Sequence, residues 1–136
     1  MEKPLTTLLS PNVAPSAARV GWQRATRQAN VARVMELLQR YDEQPIRLSK
    51  LCRHAGVSER TLRSIFKEKF GVGPNRYLHI RRLHLVRLAL SIANPSTESV
   101  SQIALRFGFS DSGRMAADYH RLFGEYPSRT LMRTLL

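Results

Sequence analysis

A single cysteine, Cys52, stands in the 136-residue chain, which excludes an internal disulfide framework and a cysteine-built zinc site. No window approaches the ~18 consecutive apolar residues of a membrane span. Residues 1–20 hold no apolar core of signal-peptide length, so a soluble cytoplasmic protein with no membrane partner is expected. The four histidines, His54, His79, His84 and His120, show no ligand spacing, and no metal site is expected. A glycine-rich phosphate loop, a nucleophile elbow and a carboxylate pair are all missing, so neither an enzyme nor a bound cofactor is expected. Acidic residues are also scarce, with 10 Asp and Glu against 22 Lys and Arg and a net charge of +12. Such a surplus concentrates polyanions, meaning nucleic acid or an acidic membrane surface. Most of it is arginine, whose planar fork suits phosphate and guanine better than a lysine point charge does.

What is present is mainly helical periodicity. Residues 1–28 are rich in Pro, Ala, Ser and Thr without a sustained pattern, and read as a flexible tail or the end of a linker. From Val31 the apolar residues Val31, Val34, Met35, Leu38 and Tyr41 follow helical spacing until Pro45. Leu48, Leu51, Cys52 and Ala55 make a short helix ended by Gly56. Ser58 is placed to cap a helix running to about Lys69, with Leu62, Ile65 and Phe66 inward. Pro74 suits a first turn, and a long helix from Asn75 to Ala93 carries Tyr77, Ile80, Leu83, Leu88 and Leu90. Further helices are predicted from about Ser99 to Phe107, from about Ser112 to Phe123, and from Pro127. The fold expected is all-α, with seven helices.

The chain also repeats itself. Leu51, Ala55, Gly56, Val57 and Ser58 match Ile103, Phe107, Gly108, Phe109 and Ser110 at a shift of 52. Leu62, Phe66, Phe70, Gly71 and Pro74 match Met115, Tyr119, Phe123, Gly124 and Pro127 at a shift of 53, so the second copy holds one extra residue between Ser110 and Met115. Each copy reads as a short helix, a glycine-containing turn and a second helix, which is the helix-turn-helix plan. Val57 and Phe109 would plug the two corners. One such hairpin is a common object; two, joined by a long helix in a basic chain, point to DNA.

These residues resemble the DNA-binding domain of the AraC/XylS transcription regulators from about Val31 to Leu135. The more specific part is the second copy, with Ile103-Ala104, Gly108-Phe109, Tyr119, Phe123-Gly124 and Pro127. Asn94-Pro95-Ser96, Gly113-Arg114-Met115-Ala116, Phe123-Gly124-Glu125, Pro127-Ser128 and Thr130-Leu131 are similar to the branch around XylS and the ethanolamine-operon regulator. That branch has Phe where Met115 stands, and a flexible thioether fills the same space. The resemblance implies a domain over residues 29–136, with helix-turn-helix units at about 46–70 and 99–123 and a linker helix at about 74–93. It further implies a DNA-binding transcription regulator, an activator that contacts RNA polymerase. A small-molecule effector would act only through a domain beyond this sequence, because some 28 irregular residues are too few to form one.

On the first recognition helix Arg60, Arg63, Ser64 and Lys67 form one polar stripe at i, i+3, i+4 and i+7, opposite the inward residues. Arg60 and Arg63 are the candidates for base contacts, since arginine bonds bidentately to guanine O6 and N7. Ser58, Thr61 and Lys67 are candidates for phosphate. Their counterparts on the second helix are Gly113, Ala116, Ala117 and His120, of which three lack a side-chain donor. Ser112 and Arg114 near its start, and His120 and Arg121 near its end, remain as polar candidates. Readout is therefore expected to be asymmetric, with the first unit discriminating bases and the second supplying phosphate contact and close fit. The rival readings are a non-specific nucleoid-type basic protein and a membrane-surface amphipathic protein. The repeated turns and balanced core helices speak against the second.

Overall fold

The computed structural model describes residues 17–41 and 44–133, with side chains from Ala25 onward. Seven helices and no strand occur among the described residues: α1 (Ala17–Arg40), α2 (Leu48–Ala55), α3 (Glu59–Phe70), α4 (Pro74–Ile92), α5 (Val100–Arg106), α6 (Ser112–Phe123) and α7 (Pro127–Arg133). The all-α expectation therefore holds. One boundary differs. The chain was expected to be irregular to Gln28, yet α1 starts at Ala17. Between Pro15 and Pro45 the sequence holds Gly21 as its only helix breaker, and Ala, Arg and Gln extend a nucleated helix at little cost. Without an apolar stripe to announce it, the extension was not visible in periodicity. The expectation of a tail over residues 1–16 lies outside the described residues.

The caps explain where the other helices begin. The Ser58 hydroxyl accepts from the Thr61 N–H at 3.1 Å and starts α3. At α5 a reciprocal pair does this work: Ser99 Oγ accepts from Gln102 N–H, and Ser99 N–H donates to Gln102 Oε1. Asp111 caps α6 by accepting from the Arg114 N–H at 3.0 Å. The cap-to-core spacing is the same in both recognition helices, Ser58 to Leu62 and Asp111 to Met115, so the extra residue of the second copy lies in the turn before α6. Gly56 and Gly108 turn those corners at φ 69° and 91°, a backbone region that side chains disfavour.

Two cores follow. The first gathers Val34, Leu37, Leu38, Ile46, Leu51, Ala55, Leu62, Ile65, Phe66 and Leu78, with Val57 packed at its corner. The second gathers Leu83, Leu85, Val86, Leu90, Ala93, Ile103, Ala104, Phe107, Met115, Tyr119 and Leu131, with Phe109 at its corner. α4 belongs to both. Its early Leu78 fills the first core as Leu131 of α7 fills the second, after Pro74 and Pro127 at equivalent first turns. Its later Leu83, Val86 and Leu90 repeat Val31, Val34 and Leu38 of α1 at a shift of 52. The repeat is thus four helices long, and its two copies share α4. Having to face two cores also leaves Leu88 outward and 61% exposed.

Internal arginines tie the frame together. Arg81 of α4 donates to the carbonyls of Leu38, Tyr41 and Gln44, at the end of α1 and just beyond it. Arg82 donates to the Ile46 carbonyl at 3.3 Å, and burial, followed by the nearby Arg47, lowers its pKa. Arg33 of α1 donates to the Ala55 carbonyl at 2.9 Å and closes the end of α2. In the second unit Tyr119 carries a hydroxyl where Phe66 has none. It donates to Thr130 Oγ1 at 2.7 Å, Thr130 donates to Glu125, and Arg133 pairs with the same carboxylate. This chain of bonds anchors α7.

Candidate nucleic-acid interface

The stripe expected on α3 is there: Arg60, Arg63, Ser64 and Lys67 are all exposed, while Leu62, Ile65 and Phe66 are fully buried behind them. The four are not equivalent. Arg63 pairs with Glu59 one turn earlier at 2.6 Å, with both side chains more than half exposed. Such a pair is worth ~0.2–1 kcal/mol, so Arg63 is free to exchange Glu59 for a stronger partner. Ser64 accepts from Arg27 of α1 at 3.0 Å. Ser58 is engaged in its cap and also donates to Thr61 Oγ1 at 3.1 Å, which leaves the half-buried Thr61 hydroxyl with a proton to give outward.

α6 presents a smaller face. Gly113 and Ala117 are exposed and Ala116 is half-buried. A Cβ placed on Gly113 would meet only Asp111 Oδ1, at an ordinary 3.5 Å, so the fold itself does not require glycine there. Ser112 accepts from Ser101 of α5 at 3.3 Å. His120 stacks on Tyr126, with ring centroids 4.2 Å apart and planes at 20°. Arg121 is tied to Asp118. Arg114, exposed in the first turn, is the cation of α6 best placed to reach outward.

Asp118 joins α6 to α4, its Oδ2 lying 3.0 Å from His79 Nε2, while the His79 ring meets Phe109 edge-on at 5.6 Å. The Arg121 guanidinium holds the Asp118 carboxyl below the usual carboxylate range; partial burial opposes this and His79 adds to it. A carboxyl whose pKa is lowered by folding contributes stability above the unfolded value of ~3.9, and that stability is lost as pH falls through the folded value. Acid should therefore lower the urea midpoint progressively below about pH 4, and Asp118→Asn should show a smaller acid loss than the parent. Equal acid loss in the two proteins would rule out this role for Asp118. Glu125, lowered by Thr130 and then Arg133, supplies the acid dependence that the variant retains.

Every carboxylate from Glu59 to Glu125 is engaged. Glu59, Glu68, Glu98, Asp118 and Glu125 sit in ion pairs and Asp111 in a cap. Five of these six are paired with a cationic group, and Asp111 alone keeps its charge against a backbone N–H. Of the linker-helix arginines, Arg76 is exposed, Arg87 lies over the Phe123 ring at 4.6 Å, and Arg81 and Arg82 serve the frame. Cys52 is half-buried, and burial, with Glu59 nearby, pushes its thiol pKa up, as suits an inert core group. No group of three metal-binding side chains occurs among the described residues, and none of their helices is long and apolar enough to cross a membrane.

Sequence reasoning missed Arg27 and Tyr126. Arg27 lies four residues before Val31, on the continuation of the same helical stripe, and that spacing was the available signal. Tyr126 follows the repeat's Phe-Gly and is 54% exposed, with nothing in the sequence alone to tie it to His120.

Residues 51–133 match the family model described as a helix-turn-helix domain. An operon activator of Pseudomonas putida, "XylDLEGF operon transcriptional activator 3", is 38% identical over 101 residues, covering 74% of this chain and 30% of the relative. A "Probable thc operon regulatory protein" of Rhodococcus erythropolis is 37% identical over 97 residues, covering 71% of this chain and 29% of the relative. The chain thus spans about 30% of the length of these curated relatives. Among solved structures, a probable AraC family transcriptional regulator from Rhodopseudomonas palustris CGA009 is 35% identical with a TM-score of 0.64, covering 77% of this chain and 96% of that one.

Proposed function

The chain belongs to the AraC family of helix-turn-helix DNA-binding transcription regulators, and from that premise we propose that α3 and α6 enter successive major-groove turns of one duplex. The observation that carries this reading is the pair of capped helices, α3 and α6, held by the shared α4 with their outer faces open. α4 has 19 residues, or ~28 Å at 1.5 Å per residue. That is of the order of the ~34 Å between successive groove turns, and the remaining mismatch is met by bending the DNA.

Roles divide along the geometry. Arg60 and, after exchanging Glu59, Arg63 read bases. Lys67 and Thr61 hold phosphate, and Ser58, expected to do so too, instead gives its hydroxyl proton to Thr61 and leaves that residue as the donor. On the second helix Gly113, Ala116 and Ala117 permit close approach, and an alanine methyl can meet a thymine methyl. Arg114 reaches base or phosphate, while Ser112, His120 and Arg121 line its two ends. The domain spans residues 29–136, with α1 upstream of Gln28 as its continuation. The relatives named as activators support activation; RNA polymerase as protein partner, a cytoplasmic, nucleoid-associated location and a non-enzymatic role complete the reading.

Selection of bound duplexes from a random pool at ~150 mM salt, near physiological ionic strength, should enrich one ungapped motif about two turns long. If no sequence is enriched and affinity collapses as salt rises, the protein is a non-specific basic binder.

A further inference from the structure

We propose that Arg27 is a positioning residue for base reading: it biases the Ser64 hydroxyl toward donating and cancels the charge of Glu68 beside it. The inference rests on α3 being a recognition helix. One guanidinium nitrogen, Arg27 Nη2, lies 3.0 Å from Ser64 Oγ and 3.0 Å from Glu68 Oε1. Ser64 and Glu68 are one turn apart, and so share the face that carries Arg60 and Lys67. Arg27 comes from α1, outside the helix-turn-helix that it adjusts.

A serine hydroxyl has one proton and two lone pairs, and can donate to a base or accept from one. With Arg27 on one lone pair, the oxygen keeps its proton and one lone pair outward, and the positive charge beside it favours an acceptor on the base over an amino donor. Among the described residues that proton has no acceptor, and Ser64 is exposed. In the major groove the acceptors are guanine O6 and N7, adenine N7 and thymine O4, whereas cytosine offers an amino donor. Ser64 beside Arg27 is therefore biased toward these acceptors and against cytosine, while Ser64 without the cation accepts from cytosine more readily. Glu68, 66% exposed at its side chain, would add a second acceptor for the cytosine amino group if Arg27 were absent. The ion pair itself is exposed and contributes little to stability, so its removal leaves the fold in place.

The test is duplex selection with the parent chain, Arg27→Ala, Ser64→Ala and the double variant, alongside thermal melting of each. In Arg27→Ala one column of the motif should broaden to admit cytosine, its discrimination falling about fivefold, the low end for a base contact. Ser64→Ala should broaden the same column less than Arg27→Ala does, the double variant should broaden it no further than Arg27→Ala, and the melting temperatures should stay together. Arg27→Lys, which keeps a cationic donor, should restore part of the discrimination. A uniform loss of affinity with a lowered melting temperature would make Arg27 merely structural. A salt slope reduced by about one, with the column unchanged, would make it a plain phosphate contact. Either result overturns the proposal while leaving α3 as the reader. Failure of the parent chain to select any motif overturns that reading, and this proposal with it.

Discussion

Arg60→Ala is expected to weaken binding to the selected duplex by about 5- to 150-fold, the range for one bidentate guanine contact, while a scrambled duplex changes far less. The expectation follows from what surrounds the side chain. Arg60 is exposed in the first turn of α3, and the two carboxylates of that helix are already occupied, Glu59 by Arg63 and Glu68 by Arg27. Its fork is available without breaking an ion pair. Arg63→Ala should cost less than Arg60→Ala, because Arg63 first gives up Glu59. Fluorescence anisotropy with both duplexes at two salt concentrations separates the cases. An equal loss on both duplexes, with the salt slope reduced by about one, would make Arg60 a phosphate contact. Should Arg114→Ala instead relax base preference, discrimination would belong to the second unit.

Phe66→Ala should cost about 3–5 kcal/mol, as is usual for emptying a fully buried aromatic site. Phe66 is 0% exposed, and its ring meets Phe70 and Tyr77, each at 5.2 Å. All three belong to the first core, and the second core contains none of them. The loss should therefore fall unevenly: amides of α2 and α3 should exchange much faster with solvent, while those of α5 and α6 keep most of their protection. Hydrogen exchange read helix by helix checks this. Equal loss in both halves would mean that α4 fuses the two cores into a single cooperative unit.

These expectations draw on features of unequal visibility in the sequence. The helices from α2 to α7 were legible because each carries its own punctuation: Gly56, Ser58, Pro74, Ser99, Gly124 and Pro127 stand within a residue or two of an observed boundary. The repeat exposed both turns and both recognition helices. The upstream half of α1 was not legible, since its sequence carries no apolar stripe to mark it. The outward faces of α3 and α6 could be read from spacing, but the pairing upon them could not. That Arg63 lies on Glu59, that Arg27 reaches Ser64, and that His120 stacks on Tyr126 depend on rotamers and on elements distant in sequence. The linker-helix arginines show the same limit, since Arg81 and Arg82 look like surface charge until the end of α1 and the segment before α2 are brought against them.

Because α4 closes one unit and opens the next, the phase between the two reading helices is counted in residues. Each residue added between Leu78 and Leu83 would rotate everything downstream by ~100° and advance it by ~1.5 Å. A single insertion there would swing α6 away from the groove that α3 selects, whereas seven residues, about two turns, would return it to within ~20° of its original phase, displaced by ~10.5 Å. The spacing of half-sites that such a protein accepts is therefore quantised. It can drift smoothly only through the flexibility of the DNA, and evolution can retune it in the protein only by near-integral turns of one helix.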